Sequence, residues 1–502
     1  MTEVAWSQQA AFPILGALQL LPLAGALVLL FLRERRGTVV LSRLVAAAEL
    51  ALAMVLYRHI DAASPALQLS ERIDLAGIPM YHAAGDGVTA LFVLLTALVI
   101  VLLTLYGLVR GLASAGRLAA VILAAEAALM SMLTTLNVLW FALASAIELG
   151  LVAYLVGRWS TSTEENRALA MARFVQFQGF GWALFLAGII ILAWNHADVT
   201  ERWSFDAVDL ARTPPSGKFQ TAAFFLMFYG LAVRTPLFPL HGWLPHVAHR
   251  GMVAVAPALL LAVKVGIYAM VRFVLPLTPQ AVVAWQGYVV AFAMAGVFYT
   301  AMLAFLQTNL RRLLAFAVVS HTGLIVIGLF SLHPIGLQGA ILLTVNFGLA
   351  VTVMLFMVGF VFRRTRTTDL DRLGGLFDRI PFIAVAFLVG GLSIVGMPGT
   401  PGFDAVHLVL EAAIDAFGAL PTIATALGNV AAAGFLLWAF QRAFLAPRAD
   451  GAKATVERTV PMEYIVGGLA VVVLLVAGFY VEPWLRLTEV ALQAAAQQFG
   501  QR

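Results

Sequence analysis

The sequence contains no cysteine, so its own side chains cannot form a disulfide, a thiolate metal site or an iron–sulfur cluster. Charge is scarce too: Asp, Glu, Lys and Arg make up 11% of the 502 residues, against 62% hydrophobic. That balance excludes a soluble domain of this length. No GxGxxG follows a strand and no P-loop occurs, which excludes nucleotide chemistry. The nine histidines form no HExxH pattern, so no metal and no cofactor is expected in this chain. Haem held by two histidines stays open in principle. The net charge of +5 comes from arginines gathered in loops and does not point to nucleic acid.

What the chain has in quantity is apolar length. Runs of about 20 residues recur from end to end, each long enough to cross a ~30 Å hydrocarbon core. They do not alternate apolar with polar residues, as barrel strands would. The expectation is an all-α polytopic membrane protein of about 14 helices. These fall near 12–32, 39–57, 88–110, 118–136, 138–157, 173–194, 219–235, 252–275, 282–306, 310–332, 336–362, 381–413, 419–446 and 461–482. The first run lacks a basic leader and a cleavage site, so it reads as a permanent helix. No linker separates folded domains.

Alternate loops collect arginine: Arg33, Arg35 and Arg36; Arg110 and Arg117; Arg158, Arg167 and Arg173; Arg250; Arg311 and Arg312; the group from Arg363 to Arg379; and Arg442, Arg448, Lys453 and Arg458. The opposite loops hold far fewer. The positive-inside rule then puts both termini on the non-cytoplasmic side. Two longer stretches on that side, 58–87 and 195–218, suit solvent or a partner subunit. The tail from Pro483 reads as a surface amphipathic helix.

Two runs are interrupted. The seventh breaks at Arg234-Thr235-Pro236 and the twelfth at Pro398-Gly399-Thr400-Pro401-Gly402. Proline removes a backbone donor and clashes with the preceding turn. Broken helices in corresponding positions point to inverted repeats with a site near mid-membrane. An offset of five, an odd number, sets the two units upside down. The expected division is 1–117 for helices 1–3, 118–275 for the first repeat, 282–446 for the second, and 461–502 for the last helix and tail.

Ionisable groups inside apolar runs cost at least ~2.5–3.5 kcal/mol and are functional candidates by default. Glu148 lies in the fifth span and invites a partner in Arg234 or Lys264. Lys264 sits near the centre of the eighth, where an ammonium can release and regain a proton. Arg234 cannot deprotonate and acts as a fixed charge. His321 and Asn346, in the tenth and eleventh spans, suit a hydrated proton line. Asp404, His407 and Glu411 follow the second break at spacings that share one helix face, a candidate exit. Glu49 and Glu126 are relay groups or contacts to a neighbour. His241, in the turn after the first break, suits proton uptake or a structural role equally.

The runs VRTPLFPLHGWLP, LAVKVGIYAMVRF, QTNLRRLLAFAVVSHTGLIVIG and LSIVGMPGTPGF together resemble the antiporter-like subunits of respiratory complex I, of the chain 4 or subunit M type. The family extends to multisubunit cation/proton antiporters, membrane-bound hydrogenases and inorganic-carbon-uptake complexes. The resemblance covers roughly 120–445. It implies a proton-translocating subunit of a bacterial inner-membrane complex, without a catalytic site of its own. Its partners would be further antiporter-like membrane subunits and a soluble catalytic arm. By position, Glu148 matches the family's fifth-helix glutamate, Lys264 its eighth-helix lysine, and His321 falls in its tenth-helix motif. Arg234 replaces the usual seventh-helix lysine, Asn346 stands where histidine is common, and Val406 replaces the usual ionisable group after the second break. HGWLPHVAHRGM also lacks the usual acidic and Pro-Thr elements. The alternatives are a subunit of a Na+/H+ antiporter, or an anchor for a carbon-uptake or hydrogenase partner.

Overall fold

The computed structural model describes residues 2–32, 37–75, 78–112, 114–447 and 456–500. Arg33, Arg35, Arg36, Arg448 and Lys453, which carry part of the expected charge asymmetry, lie outside the described residues. Four helices open the chain: α1 (Ile14–Leu32), α2 (Thr38–His59), α3 (Gly87–Arg110) and α4 (Ala115–Thr134). Next come α5 (Val138–Arg158), α6 (Glu164–Thr200), α7 (Gly217–Arg234), α8 (Leu244–Arg250), α9 (Val255–Leu261) and α10 (Val265–Ala269). The second half holds α11 (Pro279–Phe305), α12 (Leu310–Leu329), α13 (Pro334–Thr365), α14 (Pro381–Ile394), α15 (Pro401–Phe417) and α16 (Ala419–Phe440). α17 (Pro461–Phe479) and α18 (Glu482–Gln497) close it.

Among the described residues, 12 helices are long and apolar enough to cross a membrane. The count of 14 differs because the seventh and twelfth runs are broken in the structure. Each divides into pieces that are too short or, in α7, too polar at Lys218, Gln220 and Arg234. α6 is longer than the expected 173–194, extending through 37 residues. Glu164 and Glu165 in its first turn complement the helix dipole. α12 and α13 lie at the centre, with nearly every residue buried, whereas α1, α2 and α17 are peripheral.

The stretch 58–87 is not an open loop. It forms β2 (Leu67–Leu75) and β3 (Ile78–Gly85), antiparallel to each other, with β1 (Glu3–Ala5) parallel to β2. His82 on β3 is fully buried between two acids, 2.5 Å from Asp206 and 3.1 Å from Glu3. Those contacts tie the sheet to the stretch between α6 and α7. α18 lies across the same end, with Leu487, Leu492 and Ala496 buried, as its amphipathic pattern requires.

Matching details mark the two halves. Asn137 caps α5 through its side-chain oxygen and pairs with Asp206; Asn309 caps α12 and pairs with Asp369. The expected eighth and thirteenth runs both end in a five-residue π-helical turn, Met270–Val274 and Gln441–Leu445. Each pair of features is five spans apart.

Candidate functional site: a buried polar line between two broken helices

The first break stands where α7 ends at Arg234. Its guanidinium lies 2.9 Å from Glu148 Oε2 and donates to Ser145 Oγ at 2.9 Å. Glu148 is fully buried, and its second oxygen has no partner. Trp243 donates its indole N–H to the Val233 carbonyl at 3.0 Å, so a carbonyl left free by the break is satisfied from the following turn. His241 occupies that turn, packed against Phe238, Tyr299 and Phe316, with Nδ1 unpartnered.

A further break was not expected. The eighth run, read as one helix over 252–275, is interrupted between α9 and α10, and Lys264 itself adopts the left-handed conformation with φ of 43°. That conformation costs a non-glycine residue about 1–2 kcal/mol. No proline or glycine marks 262–264, so the sequence carries no breaker signal. The cause is packing from both sides. Gly266 faces the Leu231 carbonyl and Thr235 Oγ1 at the end of α7. Gly348 on α13 faces the Ala262 carbonyl. A Cβ at either glycine would prevent the approach. Both breaks in the first half therefore touch.

Lys264 has no anion as a partner. Nζ donates to Thr322 Oγ1 at 2.6 Å and lies 4.3 Å from the Phe347 ring centre. The Thr322 hydroxyl in turn donates to the Val318 carbonyl. Phe347 also stacks with His321, ring centres 6.0 Å apart. His321 is fully buried, and its ring faces the Ala317 and Ile394 carbonyls and the Asn429 side chain without a hydrogen bond of ordinary geometry. Asn346, next to Phe347, donates to the Ser393 carbonyl at 3.0 Å and accepts from Ser393 Oγ at 2.7 Å. Ser393 is in the last turn of α14, so Asn346 pins the second break. Gly402, opening α15, lies against the Asn346 amide. Asn429 on α16 donates to the Val395 carbonyl inside the same break at 2.8 Å.

Five expected residues, Glu148, Arg234, Lys264, His321 and Asn346, are thus buried at or beside the breaks, with His241 in the turn after the first. The exit trio does not join them. His407 and Glu411 are exposed and Asp404 is half-buried, with no hydrogen bond linking the three. Spacing had shown that these residues share a helix face, but not which way it points. Val406 on the opposite face takes the buried place. Sequence reasoning missed Ser145, Thr322, Ser393 and Asn429. A polar residue in the apolar run TALGNVAAAG was the available signal for Asn429. Glu49 and Glu126 are fully buried away from the line. Among the described residues, no three His, Asp or Glu side chains converge on a metal site.

Residues 134–431 match the family described as NADH:quinone oxidoreductase/Mrp antiporter, TM. The F(420)H(2) dehydrogenase subunit M of Methanosarcina mazei is 28% identical over 86% of this chain and 88% of its own length. The NADH-quinone oxidoreductase subunit M of Mycobacterium tuberculosis is 28% identical over 97% of this chain and 95% of its own. A chain of respiratory complex I from Thermus thermophilus with bound NADH superposes with a TM-score of 0.84 at 26% identity, covering 96% of this chain and 99% of that one. With its two broken helices and a buried lysine between them, the chain belongs to the family of membrane subunits shared by NADH:quinone oxidoreductases and Mrp antiporters.

Proposed function

We propose that the chain carries protons across a bacterial inner membrane, as one antiporter-like subunit of a complex I-like assembly, through the line from Lys264 to His321. The observation that carries this reading is the solvation of Lys264. A buried ammonium held by one hydroxyl and one aromatic face has no fixed counter-charge, so its proton is free to leave. His321, stacked with Phe347, is an acceptor within the same packed cluster. Arg234 and Glu148 act otherwise. They form a neutral pair whose separation or neutralisation by a neighbour would change the potential at Lys264 through a low-dielectric interior.

Redox chemistry belongs to partner chains in this reading. The relatives named above take different electron donors in their names, F(420)H(2) and NADH, which supports a donor site outside the shared subunit. Further membrane subunits and a soluble arm complete the assembly. Residues 118–275 and 282–446 form the two inverted units, supported by the paired caps and π-turns. The loop arginines support termini on the non-cytoplasmic side. His407 and Glu411, exposed on α15, and half-buried Asp404 would meet a neighbouring subunit rather than an internal exit.

Lys264→Met in the purified complex, reconstituted into vesicles, tests the reading. Proton uptake is expected to fall at least about tenfold, equivalent to ~1.4 kcal/mol or more on the barrier, while the subunit stays in the complex. Wild-type uptake would overturn it.

A further inference from the structure

Glu49 on α2 and Glu126 on α4 are fully buried, and all four of their carboxylate oxygens lack a hydrogen-bond partner. Glu49 is the charged group that faces Glu126. α1 completes the pocket, because it packs on both helices. Gly25 of α1 lies against Val45 of α2 and Leu123 of α4. One turn further along, at the level of Glu49 and Glu126, α1 carries Pro22 in its interior. Proline has no N–H, so the Leu18 carbonyl loses its helical donor at this depth. Two carboxyl groups therefore face each other between α2 and α4 beside this point of α1, and neither has a hydrogen-bond partner.

Among the described residues, no cation answers them. α1 has no ionisable residue. Arg43 and Arg117 lie more than a turn away along α2 and α4, Arg58 and His59 close the far end of α2, and Arg110 ends α3. On α5, Glu148 is engaged with Arg234, and Arg158 sits at the helix end. The Tyr268 hydroxyl of α10 is committed to the Leu133 carbonyl, and His82 of β3 to Asp206 and Glu3. Two adjacent carboxylates cannot both stay charged in this setting without a positive partner.

We propose that Glu49 and Glu126 form a second proton-binding site, in which the carboxylate pair holds one exchangeable proton. The site is separate from the Lys264 line. It communicates with it through α4, whose Met132 touches Arg234 less than two turns beyond Glu126. A charge change at the pair therefore reaches the Glu148–Arg234 pair electrostatically.

Infrared difference spectroscopy on the intact purified complex tests this without relying on transport. At neutral pH the wild type is expected to show a protonated-carboxyl C=O stretch that exchanges in heavy water. E49Q/E126Q is expected to lose it. Each single variant, E49Q or E126Q, is expected to shift its frequency, because the proton's partner becomes an amide. Carboxyl-labelled glutamate in the unmutated complex gives the same readout where a variant does not assemble. Absence of a protonated-glutamate band in the labelled wild type would overturn the proposal. So would a band unchanged in E49Q/E126Q, or one abolished by added sodium at constant pH, which would mark a metal-cation site instead. Failure of Lys264→Met to alter proton uptake would leave this spectroscopic result untouched.

Discussion

The two main breaks close in the same way and differ in charge. After α7 the Leu237 N–H bonds the Ala232 carbonyl at 2.9 Å; after α14 the Met397 N–H bonds the Leu392 carbonyl at 3.0 Å. Both are five-residue closures. Between them the first break carries Arg234, and the second carries Ile394 at the same step. The partners differ to match. Arg234 meets Glu148 on the helix capped by Asn137, whereas the second break meets His321 on the helix capped by Asn309, together with neutral Asn346 and Asn429. The broken backbone is thus a property of the fold, and ionic charge is an addition made in one half. In the proposed function, the charged half responds to a neighbour's field and the neutral half passes on what Lys264 releases.

That contrast can be broken hardest at the ion pair. Glu148→Gln leaves a buried guanidinium without its anion and is expected to destabilise the subunit by ~3–5 kcal/mol. Thermal unfolding of the purified complex reads this as early loss of the subunit. Removing both charges, in E148Q/R234M, is expected to restore most of the stability but not proton uptake. The second break has no charge to lose, so the expected effect there is smaller. Asn346→Leu strands the Ser393 hydroxyl and carbonyl at a cost of ~1–3 kcal/mol. Its proton uptake is expected to fall several-fold, from a loosened break rather than a lost carrier.

The smallest expected effect lies outside both breaks, in the sheet. Burial disfavours charge on His82, but the hydrogen bond and charge of Asp206, together with Glu3, hold its pKa above the usual 6.5. A raised value means the protonated latch stabilises fully at pH below the ordinary value and weakens as pH rises through the raised one. Hydrogen exchange in residues 2–9, corrected for intrinsic rates, is expected to speed up on mild alkalinisation in the wild type. In His82→Ala it is expected to be fast at every pH.

Much of this was legible in the sequence where chemistry is expensive. Glu148, Arg234, Lys264, His321 and Asn346 stand out because polar groups in apolar runs need a reason, and the structure buries all five. The breaks at Pro236 and Pro398 were legible because proline and glycine act locally. The interruption at Lys264 was not, because its cause lies in packing from other segments, the end of α7 against Gly266 and Gly348 of α13 against the Ala262 carbonyl. The strands in 58–87 escaped notice because a short alternating stretch between long apolar helices reads as a connector. The direction of His407 and Glu411 could not be read at all. Helical spacing groups residues on a face, but only packing decides which face turns inward.

The central claim is that Lys264 and His321 act in series across Phe347. A cycle of proton-uptake measurements on Lys264→Met, His321→Leu and the double variant tests it most directly. In a series path each single change stops the flow, so the double variant is expected to be no slower than the slower single one. Wild-type uptake in His321→Leu, or losses that multiply in the double variant, would contradict the account.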